Sequence, residues 1–486
     1  MGNLASGAEA VACELVVPAQ PRPVQRERLG INLNYLEDGV LLAPEDGLSL
    51  VQGLRGLGVR SLRYPGGNKS DSHLWSVPPF ERPAPRLAVT GDWDWPAMEP
   101  RLWDRAAGRF ARDVLDTDEA LALAEELEAE LVMVVPYDEI YPNVEEEAGR
   151  FAAGPSRDEL IATAVAWVRY CRDSGHPVRY WEIGNETYFH DSITAERYAA
   201  DLIRFATAMK AADPNIRIGA NGPDMPNSRG KADERLGRED RWWPTVLAAA
   251  SAHIDYLSLH QYPCWEWRSF AAYASKRPAV LKQLRAARRA IDSYAAGEDR
   301  ARIKLLVTEA NAADWQDDGG WPNVGDIGHA LVLFDMLAQY LACDDLVTVQ
   351  VWNTRWINHR DRTELWDALA ADNRPSTIGQ ALALWARARS HWLEPAAIPG
   401  VVVVATHDPA SGALTVFLLN RSSEPKAVRL EGAPLAAAGA LSAQTWSGSD
   451  AEDLAPRFGP RAPLDGSVVT VPGAGMLIVE GAGSAE

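Results

Sequence analysis

Between Leu29 and Arg389 the chain alternates apolar β-type runs with stretches of helical periodicity, and no other feature of the sequence restricts its fold as much. The runs with strand character are Leu29 to Tyr35, Val59 to Pro65, Glu130 to Tyr137, Val178 to Ile183, Ile216 to Ala220, Ile254 to His260, Ile303 to Thr308 and Val347 to Trp352. Helical patterns lie between them: an amphipathic one from Asp116 to Glu130, one from Ser156 to Gly175 opened by the capping box Ser156-Arg-Asp-Glu159, and one from Thr194 to Ala212 stopped by Pro214. Others run from Pro278 to Tyr294, from Ile327 to Leu341 and from Thr377 to Arg389. Strand, helix, strand in strict order predicts a parallel sheet with helices outside. Eight such strands close on themselves, so the expected class is α/β, with a (β/α)8 TIM barrel.

Segments entering the strands are short, whereas several that leave them are long and rich in Trp, Gly and Pro: Gly66 to Arg112, Asn221 to Arg241, Gln261 to Lys276, Ala310 to Asp326 and Asn353 to Pro375. All of these then sit on the carboxyl-terminal face of the barrel, where sites of this architecture are built. Past Arg389 the pattern changes to short β-type runs, Val401 to Thr406, Ala413 to Asn420, Ala427 to Leu430, Val468 to Val471 and Met476 to Val479, with turn residues such as Asp408 to Gly412 between them. That predicts a C-terminal all-β sandwich. The expected division is an N-terminal arm, residues 1–28, adding a strand to the sandwich; the barrel, residues 29–389; and the sandwich, residues 390–486.

The 486 residues are 47% hydrophobic and 24% charged, which is enough apolar material for a large core and not the balance of a disordered chain. With 48 Lys and Arg against 67 Asp and Glu, the formal charge of −19 repels phosphate backbones and anionic lipid, so neither nucleic acid nor a membrane is an expected partner. Cys13, Cys171, Cys264 and Cys343 form no C-x-x-C, have no His at zinc spacing, and read as free thiols. Met1 to Gln20 lacks a basic start followed by an apolar core, and no apolar run is long enough to span a bilayer, so a cytoplasmic protein is expected.

Two strand ends deliver carboxylates. Arg179-Tyr-Trp-Glu-Ile-Gly-Asn-Glu186 runs from apolar strand through Gly184, which frees the backbone, to Asn185 and Glu186; Ile303-Lys-Leu-Leu-Val-Thr-Glu-Ala-Asn311 repeats the design with Glu309. They end the fourth and seventh strands, which a closed barrel sets facing across its mouth. A single Glu at a strand end is ordinarily a solvated charge or an ion pair. A facing pair is what glycosidic cleavage needs, a proton donor on one side of the bond and a second carboxylate on the other. At about 5 to 5.5 Å apart one attacks the anomeric carbon while the other protonates the leaving oxygen; a wider pair leaves room for water and inverts.

On these residues the chain resembles the retaining glycoside hydrolases of clan A, whose acid/base follows Asn at the fourth strand and whose nucleophile ends the seventh. Trp181-Glu-Ile-Gly-Asn-Glu186 matches the first motif and Thr308-Glu-Ala-Asn311 the second. Leu62-Arg-Tyr-Pro-Gly-Gly-Asn68 is similar to the second-strand motif of family 51, the α-L-arabinofuranosidases, in which the Asn binds sugar; arm, barrel and sandwich are that family's order too. Two positions depart from it: Gly30-Ile-Asn-Leu-Asn-Tyr35 offers Asn34 where the family has a sugar-binding Glu, and Ala310 follows Glu309 where the family has Trp. Families 30, 39 and 79 stay open as relatives. The resemblance implies a retaining hydrolase of a plant or microbial oligo- or polysaccharide, with Glu186 as acid/base, Glu309 as nucleophile, Asn68 on the sugar and Tyr262 donating to the nucleophile.

The remaining candidates follow from chemistry. Asn185 is placed for the hydroxyl beside the anomeric carbon, a contact that strengthens as charge develops. Arg63, on the second strand, lies where it can bridge to Glu309 from below; His260 ends the sixth strand; Trp352, at the mouth of the eighth, offers a ring to the C–H face of a sugar. Bland readings stand beside these: His260 as a hydrogen-bonded histidine of the barrel wall, Glu182 as a structural partner, and the loop tryptophans as packing for long loops. A metal-dependent barrel hydrolase would need His and Asp clustered at strand ends, where of nine histidines only His260 is found. A catalytically silent glycan-binding protein would keep a Trp-rich cleft without the carboxylate pair. The expectation is therefore a glycosidase that uses no cofactor and no metal and takes a carbohydrate substrate, with a homo-oligomer compatible with the sequence.

Overall fold

In the computed structural model, which describes residues 10–42, 45–87, 102–104, 106–137, 155–189, 193–223, 239–262, 269–312, 321–356 and 364–483, the barrel strands are short and nearly all buried. Leu29–Asn32, Ser61–Tyr64, Glu130–Val135, Tyr180–Ile183, Arg217–Gly222, Tyr256–Gln261, Lys304–Ala310 and Leu346–Val351 pair in parallel, each with the next, and the last returns to the first. The runs read as continuous apolar stretches because helices cover one face of each strand and the barrel interior the other.

That interior changes character along its axis. Near the amino-terminal end it is apolar, with Val132, Tyr256 and Leu306 in one cluster. Gly219 makes room there: a Cβ on it would stand 2.1 Å from the Tyr256 ring. Toward the other end the interior turns polar, with Gln350 donating to Ser61 at 2.8 Å and Ser258 donating to Glu182 at 2.5 Å.

The outer helices begin where their caps stand. Arg157–Asp173 starts at Ser156 and Thr117–Leu127 at Asp116, both with complete capping boxes, and Ala195–Ala212 starts at Thr194. Val280–Tyr294 and Ile327–Leu341 follow. The helical pattern from Thr377 is shorter than expected, ending at Ala383 and tightening into a 3-10 turn, Leu384–Arg387. Several helices escape the periodicity, the short Phe270–Ser275 and Asp299–Arg302 among them. Leu50–Leu57 is only two turns long, and Glu239–Ala250 occupies part of a stretch expected as loop and carries Pro244 within it. Among the described residues no helix is long and apolar enough to cross a membrane. Cys13, Cys171 and Cys343 are free thiols; Cys264 lies outside the described residues.

The C-terminal sandwich consists of a seven-stranded sheet built on Val401–His407, Leu414–Asn420, Gly475–Gly481 and Leu441–Ser447, facing a four-stranded one. In the smaller sheet, Val11–Val16 lies parallel to Lys426–Glu431, which pairs on its other side with Val468–Val471. Leu441–Ser447 shows no apolar run in the sequence, since Ser, Gln and Thr interrupt it. Alternate residues of the larger sheet belong to different cores. Val402, Val404, Phe417, Leu419, Met476 and Ile478 pack with the barrel and its helices, whereas Val401, Ala405, Val416, Leu418, Leu477 and Val479 pack with the smaller sheet.

Candidate active site

Glu186 and Glu309 reach the barrel mouth by different devices. After the fourth strand, Gly184 turns the chain at φ 74° and Glu186 itself sits at φ 51°, a left-handed conformation uncommon for a residue with a side chain and held only where surroundings enforce it. Here the N–H of Thr187 donates to the Asn221 side chain at 2.9 Å and that of Phe189 to the Glu186 carbonyl at 2.8 Å. On the seventh strand the pairing with the sixth passes from Leu259↔Val307 to His260↔Glu309, leaving one extra residue on the seventh. Such a bulge re-aims the side chain that follows. Thr308 keeps its place inside the barrel against Ser258, and Glu309, which simple alternation would turn outward, also enters the mouth.

His260 joins the two carboxylates, with Nδ1 2.8 Å from Glu186 Oε1 and 3.5 Å from Glu309 Oε2. The ligand atoms of these three residues all lie within 4.8 Å of one another. Both Glu309 oxygens receive further donors: Arg63 Nη1 at 2.8 Å on Oε1 and the Tyr262 hydroxyl at 2.6 Å on Oε2. Glu186 is the more open of the pair, its side chain 19% exposed against 6% for Glu309. Burial first, and then the charges of Glu309 and Glu186, push the Tyr262 phenol well above its ordinary value, so it serves as a donor.

Arg63 is wholly buried and ties the site to the barrel interior. Nε and Nη2 donate to Glu182 at 3.0 and 3.2 Å, Nη1 to Asn32 at 3.0 Å, and Nη2 to Asn185 at 2.8 Å. Burial alone would lower its pKa; Glu182 and Glu309 more than reverse this and hold it above the usual guanidinium value. Glu182 is thus the structural partner of Arg63 and points into the barrel. Asn185 in turn donates to Asn68 Oδ1 at 2.5 Å, which brings the second-strand turn Gly67–Ser70 to the fourth-strand end.

The other sequence candidates lie differently. Asn34 gives its amide to the Arg355 carbonyl at 2.9 Å and accepts from the Leu36 N–H at 3.3 Å, bonds that belong to the loop. Trp352 is only 5% exposed, and its ring is faced by Lys69, whose Nζ stands 4.4 Å from the ring centre. Trp75, Trp242, Trp243 and Trp321 are buried and pack their loops; Trp242 and Trp243 also hydrogen-bond the carbonyls of Asn221 and Pro223. Trp93, Trp95, Trp265, Trp267 and Trp315 lie outside the described residues. Lys69 went unnoticed in the sequence, where its one signal is its place next to Asn68. A cavity of about 750 Å³ opens at the opposite, amino-terminal end of the barrel, lined by residues such as Arg60, Glu130 and Arg179; it is remote from the carboxylates, on the face where this fold places stability rather than chemistry.

Residues 53–263 match the model of the α-L-arabinofuranosidase 1 domain, a span that takes in Arg63, Asn68, Asn185, Glu186, His260 and Tyr262 and stops short of Glu309. Over that span the chain is similar to α-L-arabinofuranosidases. An intracellular exo-α-(1→5)-L-arabinofuranosidase of Acetivibrio thermocellus is 25% identical over 244 residues, 45% of this chain and 39% of that one. Its namesake from Streptomyces lividans is 29% identical over 249 residues, 49% of this chain and 33% of that one. The chain therefore aligns with roughly a third to two-fifths of the length of these curated relatives. The α-L-arabinofuranosidase of Thermotoga maritima in its arabinose complex shares the fold across 97% of this chain and 99% of that one, with a TM-score of 0.66 and 18% identity.

In this barrel, Glu186, His260 and Glu309 are also close enough together to be read as ligands of one cation. Their surroundings fit that reading poorly, because the donors on Glu309 include the charged guanidinium of Arg63.

Proposed function

We propose that this protein is a retaining glycoside hydrolase of the α-L-arabinofuranosidase kind, acting on arabinofuranosyl groups of plant or microbial oligo- or polysaccharides. The observation that carries the reading is the facing carboxylate pair, with oxygens within 4.8 Å through His260 and with donors from Arg63 and Tyr262 on Glu309. That spacing suits direct attack better than the wider gap that holds a water, roughly 6.5 Å or more. Glu309, oriented from two sides, attacks the anomeric carbon; the bond to the leaving oxygen breaks, and Glu186 gives that oxygen its proton. Glu186 then takes a proton from water, whose oxygen displaces Glu309 and restores the enzyme with configuration retained. Asn185 and Asn68 bind the sugar. The two carboxylates supply nucleophile, acid and base, so neither a metal nor an organic cofactor takes part. Two of the relatives are named intracellular, which supports a cytoplasmic location. The barrel of residues 29–389 is its catalytic unit, with the arm and residues 390–486 forming the sandwich.

The test assigns each Glu to its step. E309A should turn over no 4-nitrophenyl glycoside by itself and should yield a glycosyl azide of inverted configuration when azide is added. E186A should still release 4-nitrophenol in a burst, accumulate a glycosyl group on the Glu309 peptide, and give an azide of retained configuration. The same azide anomer from both variants, or a label on another residue, overturns the assignment.

A further inference from the structure

Among the described residues of the site, Lys69 is the one buried cation that the mechanism does not use. It follows Asn68 on the turn Gly67–Ser70, is 2% exposed, and its ammonium has no hydrogen-bond or ion-pair partner among the described residues. Its nearest company is aromatic, with Nζ 4.4 Å from the Trp352 ring centre and 5.3 Å from that of Trp356. Ring faces attract a cation but supply no lone pairs, so three N–H donors are held out of water with no acceptor among the described residues. The turn that carries the residue is fixed. Gly67 sits at φ 61°, and a Cβ on it would stand 1.9 Å from the Trp352 ring, so turn and tryptophan are locked together. Burial drives the amine down to about 7, and the carboxylate that opposes this most is Glu309, which puts Nζ within electrical reach of the reacting group.

We propose that Lys69 is a substrate-binding residue that donates to a hydroxyl on the ring or side arm of the sugar held by Asn68 and Asn185, and so selects sugars bearing an acceptor at that position. The proposal rests on the glycosidase reading and adds a specificity contact to it. An oxygen arriving at Nζ supplies the missing acceptor, while Trp352 and Trp356 exclude water around the contact.

The experiment couples one side chain to one substrate atom. Wild type, K69M and K69R are compared by kcat/KM on 4-nitrophenyl α-L-arabinofuranoside and its 2-, 3- and 5-deoxy forms. K69M should lose roughly 10- to 100-fold on the parent substrate, chiefly through KM, as for loss of a charge-assisted hydrogen bond. One deoxy substrate should lose a similar factor with wild type and nothing further with K69M, whereas the other two lose the same factor with both proteins. K69R, which keeps the charge, should retain part of the coupling. Equal losses for all three deoxy substrates in both proteins overturn the proposal and leave the glycosidase reading intact. A wild type that turns over no aryl glycoside at all, the pyranosides included, overturns both. Should K69M fail to fold, K69Q carries the same comparison.

Discussion

Replacing Arg63 by Met separates what the buried arginine does for the fold from what it does for Glu309. Methionine keeps most of the stem's volume and removes the charge that serves two buried carboxylates, Glu182 and Glu309, and hydrogen bonds to Asn32 and Asn185. Taking one partner out of a buried ion pair costs about 3–5 kcal/mol. At a urea slope of about 3 kcal/mol/M that lowers the unfolding midpoint by roughly 1–1.7 M. Activity should fall about 100-fold or more, because Glu309 loses the donor on one of its two oxygens and with it the orientation for attack. The double variant R63M/E182Q then divides the two effects. Glutamine at 182 still accepts from Ser258 but carries no charge, so the double variant should regain part of the lost midpoint and none of the lost activity. Urea titrations followed by tryptophan fluorescence, with kcat/KM on the same samples, supply both readouts. A double variant no more stable than R63M, or one with wild-type kcat/KM, refutes this division of roles.

G67A places a Cβ into the Trp352 ring and a side chain at positive φ; it should cost about 1–3 kcal/mol and raise KM, and an unchanged urea midpoint would show that turn and tryptophan are not interlocked. Lys69 is held near 7 in the folded chain against 10.5 ordinarily, so the unfolded chain binds the extra proton between those values, and the destabilisation is full below about pH 7 and fades toward pH 10.5. K69M should therefore exceed wild type in stability most at about pH 6 and least at about pH 9.5; a gain that does not shrink as pH rises contradicts the buried charge. Prolonged dialysis against EDTA should leave kcat/KM unchanged, and an activity lost to the chelator and restored by zinc or manganese would favour the cation reading of Glu186, His260 and Glu309.

The barrel was legible because its strands are covered on both faces and so write themselves as unbroken apolar runs, and because Ser156, Asp116 and Thr194 mark helix starts with side chains that have few other uses there. The same double coverage hides which residues point inward. Glu182 reads as a structural partner, but nothing beside it in the chain names Arg63, which it meets inside the barrel. Glu309 was found by its motif, not by its direction, since the bulge beside Thr308 reverses the alternation that a reader would apply. Lys69 was missed for the opposite reason: a lysine in a loop is almost always solvated, and nothing local announces that Trp352, far along the chain, will close over it. Glu239–Ala250 hid behind Pro244, and Leu441–Ser447 behind its own polar residues, which stay half-buried at that side of the sheet.

The larger sandwich sheet belongs to two cores at once, and this decides what the C-terminal region can be. An appended sugar-binding module can be cut away and will carry on folding, because only one of its surfaces faces its host and that surface is polar. Here removal of the barrel would bare Val402, Val404, Phe417, Leu419, Trp446, Met476 and Ile478 together, each worth about 1.5–3 kcal/mol when buried. Neither half keeps a soluble surface without the other. Shuffling this sandwich onto another barrel, or trimming it to shrink the enzyme, would yield aggregates rather than modules, so engineering of the mouth has to treat the sandwich as part of the barrel's own foundations.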